Sequence, residues 1–170
     1  MKKVLIIGII MLVLVGCTNK KEKPINLAKD LPIDIVEEEK LDVVVCEITE
    51  GDNTLTDTMT GFQDRMKTST IESVMDYSND IERGKITETD IKNNMEDTKK
   101  DYLGIEGVSY EYSIEGTIVT EKLITDYTKA SMKQLYFEGM VDTKESEYIS
   151  MDRTIESYLD DGMRCKAIEE

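Results

Sequence analysis

Two hydrophobic periods take turns along this chain, and their order restricts what it can fold into. Leu41 to Glu50 is rich in β-branched residues and puts Val44, Cys46 and Ile48 on one face, as a strand with one buried side requires. Glu50-Gly51-Asp52-Asn53 supplies turn chemistry, so Thr54 to Phe62 is expected to return as an antiparallel partner. From Ser69 to Arg83 the apolar residues Ile71, Val74, Met75 and Ile81 read as one helix face. Ser69 and Glu72 have capping-box spacing, and Gly84 is placed to end the helix. A second helix is expected from Thr87 or Thr89 to Leu103, with Ile91, Met95, Thr98 and Tyr102 as its seam and Gly104 at its exit.

Gly107 to Tyr127 returns to period two. Tyr110, Tyr112 and Ile114 share a face, Gly116 marks a turn, and Ile118 to Tyr127 forms the return strand. Ser131 to Phe137 predicts a helical turn with Met132, Leu135 and Tyr136 inward, and Asp142 to Tyr148 reads as a surface loop. Ser150 caps a last helix through Asp161, with Met151, Ile155, Tyr158 and Leu159 inward and Gly162 past its end. Met163 to Ile168 is a short final strand. The expectation is therefore an α+β fold: an antiparallel sheet of about five strands, made of two hairpins and a C-terminal strand, with three to four helices packed against it.

The N-terminus obeys different rules. Lys2 and Lys3 precede the apolar run Val4 to Val15, which ends in Leu14-Val15-Gly16-Cys17. A run of about 12 residues is too short for a bilayer core of about 30 Å, so it reads as a signal-peptide h-region. Its ending is similar to the bacterial lipoprotein signal, in which a small residue precedes a cysteine that receives lipid. Residues 1–16 are thus expected to be removed, Cys17 to be lipidated, 17–40 to form a tether, and 41–170 to form one domain. The tether is polar, carries Pro24 and Pro32, and places Lys20, Lys21 and Lys23 near headgroups. The chain is then expected on the extracytoplasmic face of a cell membrane, held by its lipid.

Charge and composition exclude several functions. The formal charge is -15, and loss of Lys2 and Lys3 takes it to -17, which is ill suited to nucleic acid. The chain contains no His, which removes every His-containing triad or zinc site. No metal or cofactor is expected, because neither the acidic turn Glu47, Glu50, Asp52, Asn53 nor the pair Asp160, Asp161 follows calcium-loop spacing. Paired carboxylates acting as a wall hydrolase stay formally open, since 36 acidic residues offer many pairs.

Tyr110 and Tyr112 on one strand face, with Tyr127, are the candidate ligand-binding residues; packing a core is the competing role. Cys46 and Cys165 both point to the apolar side of their strands. A bridge between first and last strand and two separate buried thiols are both compatible with that placement.

Several runs resemble the YehR-like family of bacterial lipoproteins, a domain of unknown function. They are Leu14 to Cys17, Glu47-Ile48-Thr49-Glu50-Gly51-Asp52, Tyr102-Leu103-Gly104-Ile105-Glu106-Gly107-Val108 and Thr125-Asp126-Tyr127. Ile149-Ser150-Met151 and Gly162-Met163-Arg164-Cys165-Lys166 continue the resemblance, which spans Leu41 to Lys166. It implies an α+β domain with helices against an antiparallel sheet, and no reaction. The expected role is non-enzymatic binding of an envelope component or partner protein; the alternative is a solute-binding accessory of a transporter.

Overall fold

The computed structural model describes residues 40–141 and 147–168. The lipidation signal, the tether and most of the Asp142–Tyr148 loop lie outside the described residues.

The strands are β1 (Asp42–Glu50), β2 (Asn53–Phe62), β3 (Arg65–Asp76), β4 (Val108–Glu115), β5 (Ile118–Asp126) and β6 (Arg164–Ile168). The helices are α1 (Ser78–Glu82), α2 (Glu88–Tyr102), α3 (Met132–Phe137) and α4 (Met151–Asp160). The strands form one six-stranded sheet in the order β4-β5-β3-β2-β1-β6, antiparallel at every pairing. The α+β class therefore holds, with one strand more than the hydrophobic pattern indicates.

That extra strand corrects the helix expected over Ser69 to Arg83. Ser69 to Asp76 belongs to β3, in the middle of the sheet, and only Ser78–Glu82 is helical. Two of the inward-facing residues of β3, Ser69 and Ser73, are polar, so the period-two signal is invisible to a hydrophobicity count. Between them, Ile71 shares the inward face, while Val74 is exposed on the other side and completes a false helical spacing. A β-bulge between Thr60 and Gly61 adjusts the register of β2 to β3.

The other elements follow their local chemistry. Thr87 caps α2 in a full capping box: its hydroxyl accepts from Asp90 N at 3.1 Å, and Asp90 Oδ2 accepts from Thr87 N at 3.0 Å. Ser150 caps α4, accepting from Arg153 N. The buried face of α4 is Met151, Thr154 and Tyr158; Leu159, expected inward, is 54% exposed because it lies one residue, about 100°, round the helix from Tyr158. On α3, Leu135 is fully buried, whereas Tyr136, also expected inward, is exposed.

The main core joins Val44, Cys46 and Met59 of the sheet to Leu135 of α3 and Met151 and Tyr158 of α4. A smaller cluster joins Ile91 and Met95 of α2 to Ile86 and Val119. In the β1–β6 pairing Cys46 stands directly opposite Cys165, with α carbons 4.0 Å apart and the sulfurs bonded at 2.04 Å. Of the two alternatives open at the sequence level, the structure contains the bridge.

Candidate functional site

The inward face of a sheet is normally apolar, yet four adjacent positions here carry Asp57, Ser69, Ser73 and Glu121, all buried. The strand alignment explains their grouping. Ser73 is directly opposite Glu121 across β3 and β5, and Ser69 lies diagonally from Asp57 across β3 and β2. Each carboxyl thus meets a serine on the central strand and, from outside the strand pair, a tyrosine.

Asp57 is 1% exposed. Its Oδ1 accepts from Ser69 Oγ at 2.8 Å and its Oδ2 accepts from Tyr158 Oη at 2.8 Å. Burial pushes the Asp57 carboxyl above the ordinary range, against the opposing pull of the Ser69, Tyr158 and Thr70 donors. Burial likewise raises the Tyr158 hydroxyl, helped by the nearby Asp57 charge and by the hydrogen bond it donates to that carboxylate. Glu121 accepts from Tyr110 Oη and, at 3.2 Å, from Ser73 Oγ.

Asp57 forms the floor of a cavity of about 300 Å³ between the sheet and the α3–α4 side of the molecule. Ser69, Thr125, Thr154 and Tyr158 supply further polar groups at the floor, while Met66, Ile71 and Leu123 form apolar wall. Tyr102, at the end of α2, and Tyr127, just after β5, are half-buried in its wall. Glu138, Gly139 and Met140, following α3, stand at the rim. Tyr127 is itself raised, first by burial and then by the charge of Asp57. A confined cavity with a few convergent polar groups is the usual form of a small-molecule site, and this one is at the small end of that range.

The three candidate tyrosines do not share one site. Tyr127 lines the cavity. Tyr110 is 7% exposed and serves the core, with its ring 5.4 Å from that of Tyr102 and its hydroxyl spent on Glu121. Tyr112, 6.3 Å from the Tyr110 ring, leaves the core toward α2, donates to Glu96 Oε1 at 2.5 Å and lines a separate shallow groove. The face shared by Tyr110 and Tyr112 emerges from the core along β4, ending at exposed Ile114.

Asp57, Ser69, Thr154 and Tyr158 are cavity residues that sequence reasoning missed. A signal existed for Asp57, which stands at an inward period-two position between Leu55 and Met59. An acidic residue at such a position is either an error of register or a buried carboxyl with partners. Ser69 carried no such signal. Among the described residues no group of three or more His, Cys, Asp or Glu is gathered to hold a metal ion, and no helix is long and apolar enough to cross a membrane.

Residues 47–164 match the model of a family described as Protein of unknown function (DUF1307). The fold is similar to the NMR structure of the E. coli YehR protein, with a TM-score of 0.62 and 17% identity over 78% of this chain and 96% of that one. It is also similar to the NMR structure of a protein from Streptococcus pneumoniae TIGR4, with a TM-score of 0.51 and 15% identity over 89% of this chain and 100% of that one. At these identities the likeness shows the fold alone. No curated protein matches the chain.

Proposed function

The chain belongs to that family of proteins of unknown function, and from the cavity above Asp57 we propose that it is a membrane-anchored bacterial lipoprotein whose domain is a non-enzymatic binding module for a small envelope ligand. The observation that carries this reading is the convergence of the Asp57, Ser69, Tyr127 and Tyr158 side chains on one confined space. The anchor rests on the run Leu14-Val15-Gly16-Cys17. Lipid on Cys17, with at least two chains, gives stable attachment, and the polar segment that follows holds the domain near the membrane surface.

Asp57 and Glu138 both line the cavity, but the donors Asp57 already holds favour binding over hydrolysis. Asp57 is two strands away from Leu123, its row partner on β5, and Glu121 is two residues further along. Strand spacing and rise put their α carbons about 12 Å apart on the inward face. Each carboxyl is also committed to its own serine and tyrosine donors. The same cavity favours the transporter-accessory role as a second reading, in which the captured solute is handed on.

A thermal-shift screen of neutral and charged small solutes on the full chain tests the binding role, because a ligand selective for the folded state raises the midpoint. Hits are expected to lose their shift in Met140→Trp, which fills the rim. Absence of any hit, or hits indifferent to that substitution, would remove the cavity from consideration. For the anchor, Cys17→Ser is expected to shift the protein out of the membrane fraction or leave the precursor unprocessed.

A further inference from the structure

We propose that the ligand is a small organic monocation, an amine carrying an apolar body, with its ammonium drawn toward Asp57; this rests on the binding role argued above. Three features of the cavity point to a cation. Its lining contains two acidic residues, Asp57 at the floor and Glu138 at the rim, and no lysine or arginine. Three of its side chains, Tyr102, Tyr127 and Tyr158, are aromatic, the residue class that attracts cations. A third carboxylate acts on the region from behind, since the Tyr102 hydroxyl is raised first by burial and then by the charge of Glu121. An anionic ligand would therefore meet acidic side chains and no basic one, within a chain that is itself strongly acidic.

The state of Asp57 supplies the energetic reason. An ionised carboxylate taken out of water needs either a counter-charge or enough donors to replace its hydration. Asp57 has two hydroxyl donors and the Thr70 backbone donor, with no basic side chain among the contacts of its carboxylate. Such donors compensate only in part, which is why burial still dominates its titration. A monocation in the cavity provides the missing charge at low dielectric, where it counts for more than in water. A neutral ligand of the same shape gains none of this.

The volume sets the size. About 300 Å³ accommodates a one-ring amine with a short arm and is too small for a disaccharide or a peptide of several residues. The wall of Met66, Ile71 and Leu123 is suited to the apolar body, and the ammonium has the Tyr158 and Ser69 hydroxyls as neighbours of the carboxylate it seeks.

Proton linkage follows from this pairing. The cation favours ionised Asp57, so binding displaces its proton where the empty site is protonated. The groups that face or influence this carboxyl are Ser69 and Thr70 from β3, Tyr158 from α4, Tyr127 after β5 and the non-titrating Cys46–Cys165 bridge across β1. Of these only the tyrosines titrate, and both stay protonated through neutral pH. Glu138 stands at the rim. The proton linkage of binding is therefore assigned to Asp57, whose carboxyl burial holds above the ordinary range.

Benzylammonium, benzyl alcohol and benzoate have similar sizes and differ in charge, which makes them the probes. Binding of each to the full chain in detergent micelles is measured by calorimetry from about pH 4 to about pH 8, where benzylammonium keeps its charge. Benzylammonium is expected to bind at least tenfold more tightly than benzyl alcohol, and benzoate not at all. Its affinity rises by up to about tenfold per pH unit below the Asp57 pKa and levels above it. Asp57→Asn, with its fold checked by circular dichroism, loses at least tenfold in benzylammonium affinity and the pH response together. Equal binding of benzyl alcohol or benzoate, or unchanged benzylammonium binding by Asp57→Asn, overturns the cation assignment. If all three probes fail while the broader screen yields a neutral ligand sensitive to Met140→Trp, the cation class is wrong and the binding role stands. If neither finds a ligand, both fall.

Discussion

Tyr158 of α4 donates a 2.8 Å hydrogen bond to the buried carboxylate of Asp57 on β2, 101 residues earlier in the chain. This bond ties the C-terminal helix to the sheet inside the core. It also makes the stability of the fold depend on the protonation of one side chain.

Asp57→Asn tests that dependence. A carboxyl whose folded pKa is raised contributes stability that is fully present below its unfolded value, 3.8, and is lost as pH rises through the folded pKa. The amide keeps an acceptor for Tyr158 and a donor for Ser69 while removing the buried charge. The variant should therefore unfold at a higher temperature than the parent at pH 7, with the advantage shrinking to nothing near pH 3, as followed by circular dichroism melts.

Tyr158→Phe acts on the same carboxyl in the opposite sense. Loss of a donor to a charged, buried acceptor is expected to cost about 1.5 to 3 kcal/mol in urea unfolding at pH 7. Because that donor lowers the Asp57 pKa, its removal lets burial raise it further, so the cost should grow with pH and be least in acid. A pH-independent loss would mean that the ring's packing, not its hydroxyl, matters.

The Cys46–Cys165 bridge joins residues 119 apart and links the five-residue strand β6 to β1. Replacing both cysteines by alanine should cost about 2 to 4 kcal/mol by the loop-closure account. Hydrogen exchange is expected to accelerate first in β6, which has a single neighbour in the sheet. Gel mobility of alkylated protein with and without reductant reports the bridge directly.

Two glycines separate conformational cost from steric cost. Gly107 (φ +78°) and Gly116 (φ +62°) both occupy the left-handed region. A Cβ at Gly116 meets nothing within 4 Å, whereas one at Gly107 would stand 2.6 Å from Asp126 O and 2.7 Å from Ala130 N. Gly116→Ala should cost about 1 kcal/mol, and Gly107→Ala well above 2 kcal/mol or the fold itself, measured by chemical denaturation.

Asp64 links the β2–β3 turn to the start of α4. It turns the chain between β2 and β3 at φ +66°, and its carboxylate accepts from Ser150 Oγ at 2.8 Å and Asp152 N at 2.9 Å at the start of α4. Asp64→Ala should cost about 1 to 2 kcal/mol, from the lost cap and the unfavourable backbone conformation together. Asp64→Asn, which tolerates that conformation and keeps an acceptor, should recover most of it.

Where local chemistry and hydrophobic period agree, the sequence alone determined the result. The caps Thr87 and Ser150, the residues Gly104 and Gly162 that follow α2 and α4, and the alternation along β1, β4 and β5 all report interactions within a few residues. Such interactions are carried by neighbours in the chain and are legible there. The α+β class follows from them.

Only the tertiary structure decided the identity of β3 and the composition of the cavity, and the two have one cause. Ser69 and Ser73 are inward because Asp57 and Glu121 arrive beside them from β2 and β5, and hydroxyls next to carboxyls are stable in a core where either alone would be costly. Read locally, those serines belong on a surface, and the segment reads as an amphipathic helix. Tyr158 likewise reads as one more apolar residue of α4 until the fold sets its hydroxyl against Asp57. A buried polar group is defined by partners distant in sequence, so its role arises only once the chain is folded.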